Sequence, residues 1–166
     1  MVICSLFYTK EAEQSCKVKM KIHDVKITQL KIIPDDRGKI MHMLRSDDKI
    51  FSNFGEIYFS TIFHNKVKAW HLHKESTLNY SCIRGKVKLV LFDNRDKSPS
   101  KGSLDEIILS PDKHSLITIP KNIWNGFKGL DKEESIIANC LTIPHNEKEM
   151  VRLDQNDKII NYNWDN

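Results

Sequence analysis

Residues 70–93 read WHLHKESTLNYSCIRGKVKLVLFD. This run predicts a β-hairpin with a turn at Arg84-Gly85, because two strand-length segments flank a glycine that favours tight turns. Side chains two residues apart share one face of a strand, so we expect His71 and His73 to project to the same side. With the hydroxyl of Tyr80 nearby, the two imidazoles could form the floor of a pocket suited to proton transfer or metal binding, or they could simply face water.

The same period-two pattern extends in both directions from this run. The predicted strands are Ile22–Ile33, Lys39–Leu44, Glu56–Phe63, Lys68–His73, Leu78–Ile83, Val87–Asp93, Leu104–Leu109, Ser115–Ile119 and Ser135–Ile143. Many short strands at close spacing, without helix-length periodic segments between them, are typical of an antiparallel sandwich or barrel. We therefore predict one all-β domain over residues 20–166, with an arm or extension over residues 1–19. Only Asn146–Asp157 could hold a short helix.

Composition narrows the possible partners. The chain has 166 residues, of which 40% are hydrophobic and 29% charged, and a formal net charge of +4. Its lysines are scattered, which favours a solvated surface or a small anionic ligand over nucleic acid. Cys82 and Cys140 lie in apolar strand-like runs, and we expect them to be buried thiols in a reducing, cytoplasmic setting. The apolar run Val2–Tyr8 is too short to span a membrane, so we expect no membrane partner.

Several motifs along the chain resemble those of a known family. They are Asp36-Arg37-Gly38, His71-Leu72-His73, Phe92–Pro99, Trp124–Phe127 and Ile160–Trp164. In this order and spacing they resemble the dTDP-4-dehydrorhamnose 3,5-epimerase family over Met20 to Trp164. The resemblance implies a jelly-roll fold (a double-stranded β-helix, cupin-like), a homodimer and a nucleotide-sugar substrate with a 4-keto group. His71–Lys74 is also similar to the sugar-nucleotide 3,4-ketoisomerases.

The resemblance also implies roles for particular residues. It assigns the catalytic base to His73 and the carboxylate that orients this base to Asp154 or Asp157. A 4-keto group acidifies the neighbouring C–H bonds, so such a base can remove a proton while nearby donors hold the enolate. His71 would polarise the keto group or shuttle the proton. These roles imply isomerisation of a nucleotide-linked 4-keto-6-deoxy sugar in the synthesis of surface-polysaccharide precursors.

Five positions depart from the family pattern, and two of them are Trp70 and His71, which stand where the family has an arginine and a glycine. The expected lysine is Leu78, the expected histidine is Asn125, and the tyrosine proposed as proton donor falls near Ile137. Tyr80 or Tyr58 could replace this donor, since a phenol with a pKa near 10 stays protonated at pH 7. With a changed donor, the reaction could be epimerisation at one carbon or migration of the keto group.

Cationic and aromatic side chains supply the predicted substrate contacts. The candidate substrate-binding residues are Arg37, Lys68, Tyr58, Arg84, Asn125 and Trp124. The three cations offer charge-assisted donors to a diphosphate, although Lys68 and Arg84 could equally be solvated surface residues, whereas the Asp-Arg-Gly match favours Arg37. Trp124 could stack on the nucleotide base or belong to the core.

Two other functions stay open at this point. A non-catalytic β-roll could bind a nucleotide sugar without turning it over. A metal-dependent cupin could use His71 and His73, but the further ligand positions hold Leu78 and Asn125, and a divalent metal usually needs at least three protein ligands. We therefore expect no metal ion and no other cofactor.

Overall fold

The computed structural model describes residues 20–165, and the arm predicted over residues 1–19 lies outside them. Within the described range the chain forms twelve β-strands and a short 3-10 helix, Pro111–Lys113. In chain order the strands are β1 (Lys26–Gln29), β2 (Ile32–Asp35), β3 (Gly38–Met41), β4 (Glu56–Ile62), β5 (Val67–His73), β6 (Leu78–Arg84), β7 (Val87–Asp93), β8 (Leu104–Leu109), β9 (Ser115–Ile119), β10 (Ile123–Gly129), β11 (Ser135–Leu141) and β12 (Met150–Arg152).

Two five-stranded antiparallel sheets form the body of the fold. The first sheet has the order β1-β9-β6-β11-β4 and the second has the order β12-β5-β10-β7-β8, while β2 and β3 form a separate hairpin. From β4 to β7 each successive strand changes sheet, as in a jelly roll. Buried side chains from both sheets form the main hydrophobic core. The predicted all-β jelly-roll domain is confirmed.

The turn at Arg84-Gly85 carries the chain from one sheet to the other. Gly85 has a φ of +72°, and a Cβ at this position would lie 2.3 Å from Oγ of Ser135, so the turn requires glycine. β6 pairs with β9 and β11, whereas β7 pairs with β8 and β10. The turn is where we predicted it, but the predicted hairpin is wrong because its two strands belong to opposite layers.

β10 is a central strand that the sequence analysis did not predict. An Asn-Gly pair is typical of a turn, yet Gly126 lies inside this strand and allows a close approach between neighbours. A Cβ at Gly126 would lie 2.4 Å from the Cβ of Ala69 on β5. The pairing of β10 with β5 changes register between Asn125 and Phe127, as at a β-bulge.

Two other segments differ from expectation. The predicted strand Ile22–Ile33 is divided, since β1 begins only at Lys26 and β2 pairs with β3 in the separate hairpin. The segment Asn146–Asp157 contains no helix and instead carries β12, which pairs with β5. Edge pairing therefore decides the structure of this segment, which is too polar to show a clear strand pattern.

A second apolar cluster covers the outer face of the second sheet. Trp70, Trp124 and Trp164 belong to it, and the ring centroids of Trp70 and Trp164 lie 4.9 Å apart. Because Trp70 points outward, the alternating residues His71 and His73 of the same strand point toward the first sheet. The C-terminal tail thus closes one face of β5 and leaves the other to the interior.

Two further predictions concern the thiols and the membrane. Cys82 and Cys140 are buried and free, as expected. Among residues 20–165, no helix has the length and apolar character needed to cross a membrane.

Candidate active site

A cavity of about 690 Å³ opens between the two sheets. Its walls come from β5 and β12 of the second sheet and from β4, β6 and β11 of the first. Both His71 and His73 line it, in keeping with the alternation along β5. Leu78 is only 2% exposed and packs in the core, so it does not fill the opening. A cavity of this volume suits a small-molecule ligand.

His73 forms a buried pair with a carboxylate. Its Nδ1 lies 2.5 Å from Oε1 of Glu149, and both side chains are almost fully buried. Glu149 immediately precedes β12, and Met150 at the start of β12 pairs with His73. An ionised carboxylate can only accept a hydrogen bond, so Nδ1 carries the proton and Nε2 keeps the lone pair that a base needs.

The surroundings of Glu149 keep it ionised. Burial alone would raise the pKa of this carboxyl group, but the hydrogen bond with His73 and the backbone amides of Glu75 and Ser76 outweigh burial and lower the pKa. The amide of Glu75 donates to Oε2 at 3.3 Å. A fixed negative charge beside Nδ1 holds the ring in place and stabilises the imidazolium that forms when Nε2 accepts a proton.

His71 is a neutral imidazole at pH 7. Burial is the main cause that lowers the pKa of His71 to about 4, and repulsion by the cations Arg152 and Lys68 and by the imidazolium form of His73 adds to it. A neutral ring can donate one hydrogen bond to a keto oxygen. Lys68 and Arg152 also line the cavity, with Nζ of Lys68 3.3 Å from Oγ of Ser60. Their charges suit an anionic group such as a diphosphate.

The opposite wall carries two phenols and an amide in one row. Asn139 on β11 pairs with Tyr58 on β4 and with Tyr80 on β6. Its Nδ2 donates to the Tyr58 hydroxyl at 2.9 Å, whereas the Tyr80 hydroxyl donates to Oδ1 of Asn125 at 3.2 Å. The Tyr80–Asn125 hydrogen bond links the two sheets, and within the second sheet Nδ2 of Asn125 donates to the backbone carbonyl oxygen of His71 at 3.0 Å. The cavity therefore has imidazoles on one wall and phenols on the other.

A match to a family model decides the relationship of this chain to known proteins. The model described as dTDP-4-dehydrorhamnose 3,5-epimerase matches residues 19–166. The chain belongs to this family. The match confirms the resemblance inferred from the motifs and, with it, the predicted enzyme class, an isomerase of nucleotide-linked sugars.

Relatives of this epimerase-family chain include one solved structure and two curated proteins. The crystal structure of a dTDP sugar isomerase from Desulfovibrio desulfuricans G20 is 36% identical with a TM-score of 0.86, and the match covers 89% of this chain and 95% of that one. The probable low-salt glycan biosynthesis epimerase Agl13 of Haloferax volcanii is 32% identical over 123 residues, 73% of this chain and 79% of that protein. The spore coat polysaccharide biosynthesis protein SpsL of Bacillus subtilis (strain 168) is 28% identical over 145 residues, 86% of this chain and 96% of that protein.

The carboxylate beside His73 differs from the expected one. Asp154 is exposed and accepts a hydrogen bond from the amide of Asn156 in its own turn. Asp157 likewise accepts from a backbone amide two residues later. Both acids therefore cap local turns after β12, and Glu149 occupies the position that we had predicted for Asp154 or Asp157.

Four of the predicted substrate-binding residues do not line the cavity of this family member. Trp124 is 7% exposed within the outer cluster of the second sheet, so its ring is not available to stack on a base. Arg37 is paired with a neighbouring carboxylate in the exposed β2–β3 turn, and Arg84 pairs with Glu133 at the exposed end of β6. Asn125 is fully buried behind the wall, where it links Tyr80 to the second sheet.

Several polar residues at or next to the cavity were not predicted from the sequence, among them Glu149, Asn139 and Arg152. Asn139 had a usable signal, because alternation along β11 puts it on the same face as Ile137, where the resemblance located the proton donor. Arg152 lies in a strand that was not predicted. Glu149 had no local signal, since it is 76 residues away from His73 in the chain.

The geometry does not favour the metal-dependent alternative. Across residues 20–165, no three His, Cys, Asp or Glu side chains come together in an arrangement that could hold a metal ion. β5 contributes two imidazoles to this wall, those of His71 and His73, and the hydrogen bond to Glu149 leaves only Nε2 of His73 free to bind a metal. Protein zinc sites usually have three or four protein ligands.

Proposed function

We propose that this chain isomerises a nucleotide-linked 4-keto-6-deoxy sugar of the dTDP-sugar type, with His73 as the base. The observation that carries the proposal is the buried pair of His73 and Glu149 at the wall of a cavity large enough for a small ligand. The names of the curated relatives, which refer to glycan and spore coat polysaccharide biosynthesis, support a role in making precursors of surface polysaccharides.

The proposed reaction begins with proton abstraction next to the ketone. Nε2 of His73 takes the proton, the C–H electron pair forms a C=C bond, and the keto oxygen becomes an enolate. The N–H of neutral His71 donates to this oxygen, which stabilises the charge as it develops. Return of a proton to the opposite face inverts the carbon. Alternatively, a hydroxyl proton moves to the enolate oxygen and the former keto carbon is protonated, which moves the ketone.

Binding of the nucleotide portion falls to the cations at the cavity. Lys68 and Arg152 supply charge-assisted donors for the diphosphate, and both act from the second sheet. Arg37 and Arg84 are not needed for this role within one chain, since each is already paired with a carboxylate at the surface.

The test is incubation of the purified protein with dTDP-4-keto-6-deoxyglucose in heavy water. We expect deuterium to enter at C3 or C5 and a sugar isomer to appear in the NMR spectrum, and we expect His73→Asn to abolish both. Tight binding without exchange, unaffected by His73→Ala, would instead identify a non-catalytic binding protein. Absence of exchange and of any isomer across several nucleotide sugars would refute the enzyme proposal.

We also infer a cytoplasmic homodimer. Among residues 20–165, β4 is an edge strand, and Ile57, Phe59 and Phe63 on or next to it are 49%, 60% and 65% exposed. Exposed apolar side chains on an unpaired edge are usually covered by association with another protein chain. The inference of a cytoplasmic location has a different basis, since the buried free thiols support a reducing compartment. Light scattering should give twice the chain mass, and Phe59→Glu should reduce it to that of a monomer if this edge is the interface.

A further inference from the structure

We infer that Tyr58, positioned by Asn139, delivers a proton to the face of the sugar opposite His73. This inference rests on the proposed function and adds the second proton-transfer group. It is needed because the position near Ile137, where the resemblance located the donor, carries no hydroxyl. Two phenols line the cavity, those of Tyr58 and Tyr80, and the structure distinguishes between them.

The location of Tyr58 fits a reaction on two faces of one ring. His73 lies on β5 of the second sheet, whereas Tyr58 lies on β4 of the first sheet, and both line the same cavity. A sugar ring held between the sheets presents one face to each wall. Removal of a proton by His73 and delivery of a proton by Tyr58 would therefore invert the carbon between them.

The hydrogen bonding of Tyr58 leaves its proton available. The hydroxyl oxygen accepts from Nδ2 of Asn139 at 2.9 Å, and in the described part of the chain the hydroxyl makes no other hydrogen bond. Burial raises the pKa of Tyr58, so the phenol is protonated at neutral pH. The hydrogen bond donated by Asn139 lowers the pKa of Tyr58, because it stabilises the phenolate that remains once the proton has left.

Asn139 has a further unused group. Its side chain is fully buried, and Oδ1 has no hydrogen-bond partner among residues 20–165. Buried acceptors of this kind are rare in folded proteins. A hydroxyl group of the sugar could donate to Oδ1, so the same amide would hold both the substrate and the proton donor in place.

Tyr80 is less suited to the role. Its ring is 5% exposed and packs edge-on against Phe127, with centroids 6.4 Å apart. Its proton is already donated to Asn125. Tyr58 is 37% exposed at the cavity, so water can return a proton to its phenolate between turnovers. His73 lines the same cavity, so water that enters after product release can take the proton from its Nε2. The cycle then leaves both groups in their starting states without any other reactant.

The experiment compares deuterium exchange with inversion in heavy water, using dTDP-4-keto-6-deoxyglucose. For Tyr58→Phe we expect epimer formation to fall by about 100-fold or more, the usual contribution of a general acid. Exchange without inversion should persist, because His73 still removes the proton and returns a deuteron to the same face. Asn139→Leu should show the same separation of exchange from inversion with a smaller loss.

Tyr80→Phe provides the matched comparison, since it removes one hydroxyl from the same row. We expect its epimer yield to exceed that of Tyr58→Phe by about tenfold or more. The inference is overturned if Tyr58→Phe forms epimer within about threefold of the unmodified protein, or if it loses exchange and inversion in parallel. If the unmodified protein shows neither exchange nor epimer, the proposed function itself fails and this inference fails with it.

Discussion

Replacement of Glu149 by glutamine should slow proton abstraction about 1000-fold and leave substrate affinity nearly unchanged. The substitution keeps the shape of the side chain and an oxygen that can accept from Nδ1 of His73, but it removes the negative charge. Glu149 lies behind His73 and is not among the residues that line the cavity, so it makes no contact with a ligand there. The effect should therefore fall on kcat and not on KM.

The magnitude follows from the geometry of the pair. Nδ1 of His73 and Oε1 of Glu149 are 2.5 Å apart, which puts the charge centres of the imidazolium and the carboxylate roughly 4 Å apart. At an effective dielectric constant of about 20, such a pair gains about 4 kcal/mol. This attraction is absent before His73 takes the proton and present afterwards. Since about 1.4 kcal/mol corresponds to a factor of ten in rate, its loss predicts roughly three orders of magnitude.

The assay measures the initial rate of deuterium incorporation for Glu149→Gln and for Asp154→Asn. Asp154 is one of the two acids that the sequence suggested for this role, so its variant is the natural control and should stay within about twofold of the unmodified protein. Thermal unfolding of both variants shows whether the fold is intact. Retention of more than a tenth of the exchange rate in Glu149→Gln, or an equal loss in Asp154→Asn, would refute the role assigned to the buried pair.

Three further predictions test the surroundings of the site. The pKa of His71 is about 4 in the folded protein and 6.5 in the unfolded chain, so the unfolded state binds more protons between these values and stability should fall as the pH drops from 6.5 to 4. Urea unfolding should show that His71→Gln removes this loss, which is at most about 3 kcal/mol. Lys68→Ala should weaken binding of a nucleoside diphosphate about tenfold by calorimetry, with less effect at high salt, whereas Arg84→Ala should not. Gly126→Ala should lower the free energy of unfolding by about 1–3 kcal/mol, because its Cβ would lie 2.4 Å from that of Ala69.

Most of the strands could be predicted because a strand that buries one face repeats its side-chain environment every two residues. β8 follows this rule closely, whereas β6 and β7 are buried on both faces and were predicted from their apolar runs. β10 could not be predicted in this way, because its Asn-Gly pair is a turn signal by itself. Only the structure shows why this strand needs a glycine, since Gly126 lies against Ala69 of the neighbouring strand. The partners of β6 and β7 were also beyond local reasoning, because the same turn can join strands of one sheet or of two.

By itself, the sequence determined that His71 and His73 share a face and that an all-β shell surrounds them. Whether that face meets a cavity or water was decided by the first sheet, which packs across from it. Glu149 reaches His73 only because β12 pairs with β5, and Asn139 reaches Tyr58 only because β11 pairs with β4. The direction of a side chain depends on local backbone geometry, whereas its partners depend on the order of strands that are far apart in the chain.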